Sequence, residues 1–140
     1  MIGGIIVSHG RLGEELLNAL TIILGEAPNI EAISLGWYDD VEDSKRKISA
    51  SLKKVDQKSG VLIFTDMFGG TPSNLSFTFQ KEGHVEIITG VNLPMLIKFC
   101  SLQRSNSLRD VARKVVEQGK KNIHLASALL AGRSGSGRPS

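Results

Sequence analysis

Ile2–Gly3–Gly4–Ile5–Ile6–Val7–Ser8–His9–Gly10 is the stretch on which the fold turns. As far as Val7 it is short, apolar and rich in β-branched residues, the pattern of a strand covered on both faces. Then the period changes. Gly10 and Gly13 punctuate the chain, and Leu12, Leu16, Leu20, Ile23 and Leu24 recur at helical spacing until Gly25 closes the run. A buried strand feeding a helix is half of a βαβ unit. The same alternation continues outward. Ile30 to Leu35 reads as a second strand, followed by Trp37 and Tyr38 in a loop that ends at Asp39 and Asp40. Asp40 or Asp43 can cap a helix carried to about Val55. Gly60 to Thr65 is a third apolar strand. The loop from Asp66 to Thr71 leads into a helix from about Pro72 to Gln80. Val85 to Thr89 is a fourth strand, and Gly90 to Pro94 a loop feeding another helix. Ser107 caps a further helix to about Gln118, with Gly119 ending it, and Asn122 to Ala126 fits a fifth strand.

This order predicts an α/β fold: a doubly wound, mostly parallel sheet of four strands with helices on both faces. A short C-terminal strand would complete it. The 140 residues suit one domain, placed at residues 1–128, and the Gly- and Ser-rich residues 129–140 read as a flexible tail. Hydrophobic residues make up 41% and charged residues 22% of the chain, a soluble balance, and no apolar stretch is long enough to span a bilayer. No export signal is expected at the N-terminus. The single cysteine, Cys100, rules out an internal disulfide and reads as a small buried hydrophobe; a cytoplasmic location is expected. The net charge of +3 is mild, and the lysines around Lys45–Lys54 are interleaved with carboxylates like a solvated helix face. With one Trp and one Tyr, nucleic-acid binding is not expected.

Ligands of open parallel sheets gather outside the carboxyl ends of the strands, where strand order reverses. Ser8 and His9 fall there after strand one. Thr65, Asp66, Gly69, Gly70, Thr71 and Ser73 follow strand three, and Gly90 and Asn92 follow strand four. If strands one and three are neighbours, His9 faces Asp66 across the switch point. A histidine is a competent nucleophile near neutral pH. A carboxylate on one ring nitrogen fixes the tautomer, frees the other nitrogen's lone pair and stabilises the cationic ring formed on attack. Gly69, Gly70 and Thr71 can turn N–H groups and a hydroxyl toward an anion. Each residue alone has a plainer reading: Asp66 and Asn92 as helix caps, Gly69–Gly70 as a tight turn. Their convergence on one sheet edge marks the site. The loop lacks the Walker A spacing, so nucleotide hydrolysis is not expected, and no metal-ligand spacing exists. His84 and His124 fall away from this edge and read as structural.

Three segments carry a family resemblance. Gly4–Ile5–Ile6–Val7–Ser8–His9–Gly10, the stretch from Thr65 through Gly69–Gly70–Thr71–Pro72 to Asn74, and Thr89–Gly90–Val91–Asn92–Leu93–Pro94–Met95–Leu96 resemble, in order, the signatures of the mannose-type enzyme IIA component of the sugar phosphotransferase system (PTS; mannose/fructose/sorbose family). The resemblance implies that His9 accepts a phosphoryl group from phospho-HPr on Nε2 and passes it to a histidine of an enzyme IIB partner. It implies that Asp66 holds Nδ1, that Gly69, Gly70, Thr71 and Ser73 surround the phosphoryl group, and that Ser8 and Asn92 support the loops. It further implies a homodimer, in some members with an antiparallel last strand, here Ile123 to Ala126, exchanged between subunits, indirect association with membrane permease components, and transfer without metal, nucleotide or other cofactor. A regulatory phosphorylation-sensing module and the phosphocarrier subunit of dihydroxyacetone kinase are the alternatives. A third is a small-molecule enzyme using His9–Asp66 as an acid–base dyad in a deep pocket.

Overall fold

A computed structural model describes residues 1–105 and 107–136. β1 (Gly3–His9), β2 (Ile30–Leu35), β3 (Val61–Thr65) and β4 (Val85–Thr89) form one all-parallel sheet in the order β2-β1-β3-β4. Side chains of β1 and β3 alternate between two cores, as the pleat requires. Ile6, Leu62 and Phe64 point to one face, where they meet Leu20 of α1 (Leu12–Leu24), Leu96 and Phe99 of α4 (Leu93–Leu102) and Val111 and Val115 of α5 (Leu108–Lys121). Phe64 and Phe99 pack edge to face with centroids 5.3 Å apart. Ile5, Val7, Val61 and Ile63 point to the other face, against Ile48 and Val55 of α2 (Val41–Val55) and Leu75 of α3 (Thr71–Phe77). Burial on both faces explains why the strands read as unbroken apolar runs.

The chain leaves β1 for β2 on one side and pairs β1 with β3 on the other, so strand order reverses between β1 and β3. Val7 pairs with Thr65, which brings the residues that follow, His9 and Asp66, to a common edge.

Several local expectations are corrected. The helix after Pro72 ends at Phe77, because Thr78, Phe79 and Gln80 turn tightly with N–H groups bonded to the carbonyls three residues back. Gly119 does not end α5 but lies inside it: a Cβ there would fall 2.4 Å from Met95 Cε, so the glycine permits close contact with α4. Asp40 occupies the N-cap position of α2, yet its side chain makes no cap bond. The fifth strand at Asn122–Ala126 is not formed. Ile123 and Leu125 are exposed and pair with no sheet edge among the described residues. The chain instead enters α6 (Ala126–Ser136), favoured by Ala126, Ala128, Leu129, Leu130 and Ala131. That helix also covers part of the stretch expected as a flexible tail, residues 129–140; residues 137–140 and Asn106 lie outside the described residues.

Candidate functional site

His9 is the last residue of β1, where the strand emerges from the core and burial changes from complete to half-exposed. Ser8, just before it, is fully buried. Its hydroxyl accepts the Gly13 N–H at 2.8 Å and donates to the Gly10 carbonyl at 3.1 Å, tying the strand end to the start of α1. Ser8 therefore supports the turn that presents His9. Asp66 follows β3 directly and meets His9 twice through one oxygen. Oδ2 accepts the His9 backbone N–H at 2.8 Å and lies 2.7 Å from Nδ1 of the ring. Oδ1 accepts the Met67 N–H at 3.0 Å. The carboxylate is only 9% exposed, the imidazole 51%. Burial by itself would push the Asp66 carboxyl up. The His9 backbone N–H, the ring and the local backbone outweigh it and hold the carboxyl below its usual value. Asp66 is thus charged at neutral pH, and a carboxylate, having no proton to give, requires Nδ1 to be the donor. In the neutral ring the lone pair is then on Nε2.

Nε2 faces the Gly69–Gly70 loop. Gly70 has φ +84° and ψ 173°, a conformation essentially restricted to glycine, and a Cβ there would lie 3.1 Å from both Nε2 and Cε1 of His9. The loop therefore runs against the Nε2 edge of the ring with nothing between. Gly69 also has positive φ, at +91°, but faces open space. Thr71 opens α3 and is exposed. With only seven residues, α3 contributes a small dipole; in its first turn Thr71 and Ser73 have N–H groups with no carbonyl four residues back within the helix, Pro72 has none, and the Asn74 N–H bonds to the Gly70 carbonyl at 3.0 Å. A depression of about 550 Å³ is lined by His9, Gly10, Leu35, Gly36, Trp37, Gly70, Thr71 and Pro72.

Two residues expected at the site are engaged elsewhere. Ser73 is fully buried, and its hydroxyl donates to the Gly70 carbonyl at 3.3 Å, so it braces the loop from beneath. Asn92 caps α4: its Oδ1 accepts the Met95 N–H at 3.0 Å and its Nδ2 donates to the Gly119 carbonyl at 3.3 Å. Asn92→Ala should lower stability by about 1 kcal/mol through loss of the cap while leaving His9 in place. Thermal unfolding checks the first part, and the His9 imidazole NMR signals check the second.

Leu35, Gly36 and Trp37 belong to the depression and carry no motif in the sequence. The available signal was a Trp–Tyr pair in the loop after strand two, at the same sheet edge. His84 lies at the opposite end of β4, and exposed His124 follows α5. Cys100 is half-buried against the α1/α4 core, and burial pushes its thiol up, toward the unreactive neutral form. No group of three or more His, Cys, Asp or Glu side chains is placed to hold a metal among the described residues, and no helix among them is long and apolar enough to cross a membrane.

The fold and site define a doubly wound α/β protein with a half-exposed histidine–aspartate pair at its topological switch point. A family model described as PTS system fructose IIA component matches residues 3–116, and the chain belongs to this enzyme IIA family of the sugar phosphotransferase system. The mannose-specific EIIAB component of Escherichia coli K12 is 32% identical over 127 residues, or 89% of this chain; the chain spans 39% of that relative's length. The fructose-specific EIIA component of Bacillus subtilis 168 is 29% identical over 131 residues, covering 93% of this chain and 90% of the relative. The crystal structure of EIIA from Streptococcus agalactiae superposes with a TM-score of 0.82 at 25% identity, covering 91% of this chain and 98% of that one. The mannose/sorbose-specific IIA subunit from Enterococcus faecalis gives 0.78 at 25% identity, covering 89% and 93%.

Proposed function

We propose that this chain is a phosphoryl carrier that takes a phosphoryl group from phospho-HPr onto Nε2 of His9 and hands it to a histidine of an enzyme IIB partner. The observation that carries the reading is the division of labour on the His9 ring. Asp66 holds Nδ1 at 2.7 Å, and Nε2 looks out over Gly70 into an open depression. In the forward step the Nε2 lone pair attacks phosphorus. The P–N bond to the donor histidine breaks, and its electron pair returns to the donor ring. His9 becomes a cationic ring with its Nδ1 proton kept, next to the Asp66 carboxylate. Transfer onward repeats the step with His9 as the leaving group. Backbone N–H groups of Gly70 and Thr71 and the Thr71 hydroxyl would meet the phosphoryl oxygens. No nucleotide, metal or other cofactor enters this scheme. The reading places the chain in the cytoplasm, acting as a homodimer beside membrane permease components.

Half-exposure of His9 favours this over a small-molecule acid–base enzyme, which would enclose the dyad. Incubation with phosphoenolpyruvate, enzyme I and HPr should add the mass of one phosphoryl group, stable to base and labile to acid. Nitrogen NMR should place it on Nε2 of His9. Label on another residue, or on Nδ1, would overturn the assignment.

A further inference from the structure

At the other end of the sheet from His9 lies a second depression, of about 450 Å³, that the His9 chemistry does not use. β3 runs from Val61 in its wall to Thr65 beside Asp66, so it sits about 13 Å along the strand from the His9 edge. Leu52, Val61 and Val85 make the apolar part of its wall. The polar part is exposed: Lys53 in the last turn of α2, Lys58 in the loop after it, and Lys81 and His84 in the turn before β4. Backbone contacts fix both sides. The Asp56 N–H bonds to the Leu52 carbonyl at 3.0 Å, and Asp56 Oδ1 accepts the Lys58 N–H at 2.8 Å. That contact accompanies a left-handed backbone at Lys58, with φ +68°, uncommon for a side chain other than Asn or Asp. Across the depression Lys81 and Val85 exchange N–H···O bonds of 3.0 and 2.8 Å, and the His84 carbonyl accepts the Val61 N–H at 2.9 Å.

Charge and shape together say what fits. Lys53, Lys58 and Lys81 hold no ion pair among the described residues, although neighbouring Lys54 is paired with Glu31. Against these three cations stand one carboxylate, Asp56, and the partial negative charge at the carboxyl end of α2. One oxygen of that carboxylate is already taken by the Lys58 N–H. Three ammonium groups around one concavity repel one another, and a bound anion relieves the repulsion. The volume suits a small molecule. No aromatic side chain lines the wall to stack a nucleic-acid base. A bare inorganic ion would leave Leu52, Val61 and Val85 uncovered. We propose that this depression binds a small organic phosphate. Its phosphoryl group sits among Lys53, Lys58 and Lys81, and a compact apolar portion covers Leu52, Val61 and Val85. The proposal does not depend on His9 accepting a phosphoryl group.

The test titrates the full chain, labelled with nitrogen-15, with phenyl phosphate and separately with inorganic phosphate, and follows the backbone amides. Phenyl phosphate should move the amides of Lys58 to Val61 and Lys81 to Val85 and leave those of Gly69 to Thr71 in place. It should bind about ten-fold more tightly than inorganic phosphate, because its ring covers the apolar part of the wall. Lys58→Gln/Lys81→Gln should weaken phenyl phosphate by about ten-fold or more. Lys120→Gln/Lys121→Gln removes the same charge from exposed positions at the end of α5, outside the depression, and should change its affinity by less than about two-fold. Thermal melts confirm that both variants are folded, as expected for exposed side chains. Three results overturn the site: no shift at about 10 mM phenyl phosphate, shifts confined to Gly69 to Thr71, or equal losses in the two double variants, which would reduce the effect to net charge. Equal affinities for the two probes would overturn the organic part of the ligand.

Discussion

Asp66→Asn is expected to slow phosphoryl transfer through His9 by about 10²-fold or more while the sheet stays intact. The geometry explains why the isosteric amide does not substitute. One carboxylate oxygen accepts both the His9 backbone N–H and the ring Nδ1–H, and the other accepts the Met67 N–H. All three neighbours are donors, and an amide has only one oxygen. If that oxygen faces His9, the amide NH2 is turned on the Met67 N–H. If the oxygen faces Met67, the NH2 is turned on His9, and the ring is pushed to the tautomer that protonates Nε2 and removes the nucleophilic lone pair. In either orientation the negative charge that balances the phosphorylated, cationic ring is gone. Single-turnover labelling by phospho-HPr measures the rate; nitrogen chemical shifts of His9 report the tautomer. An unchanged rate with an unchanged tautomer would reduce Asp66 to a brace for the loop.

The same contacts predict a pH signature. Asp66 is held below its usual value, so its folded-state contribution is present above the unfolded value and is lost as pH falls through the folded one. The difference in unfolding free energy between wild type and Asp66→Asn should therefore shrink on acidification. A constant difference would mean that the carboxylate charge is not what the His9 contacts stabilise.

The parallel sheet was legible because β1 and β3 are buried on both faces, and their apolar runs leave no alternative reading. The His9–Asp66 pair was legible once β1 and β3 were taken as neighbours: His9 ends its strand and Asp66 directly follows its own, so topology alone brings them together. Matters decided by tertiary contact were harder to read. Ser73 has the right type and spacing for an anion site, but its place on the inner side of α3 turns its hydroxyl back to Gly70. Gly119 has the signature of a helix end and is a point of helix contact, because only the packed partner, Met95, reveals what a Cβ would strike. Asn122–Ala126 has too few β-formers to hold a strand without a neighbour, whereas the alanines after it continue a helix. The place of Trp37 is hard to read for a related reason. Exposed aromatics in a loop say little until the depression they border is known.

Gly70→Ala should all but abolish transfer, whereas Gly69→Ala should cause a smaller loss. Both glycines have positive φ, so each alanine carries a backbone penalty of about 1–3 kcal/mol. What separates them is where the new methyl group goes. At Gly69 it points into open space. At Gly70 it arrives 3.1 Å from Nε2 and Cε1 of His9, closer than a methyl group normally sits, and beside the nitrogen that meets phosphorus in the proposed transfer. The protein has two ways to relieve that contact. The ring can swing outward, which breaks the 2.7 Å bond to Asp66; or the loop can retreat, which moves the Gly70 and Thr71 N–H groups off the phosphoryl oxygens. Either removes a part of the machinery that Gly69→Ala leaves standing. Comparing labelling rates of the two variants at matched thermal stability separates the steric effect from the shared backbone strain. Equal losses would show that the glycine pair serves only the turn, and that the open face of Nε2 does not depend on the missing side chain at Gly70.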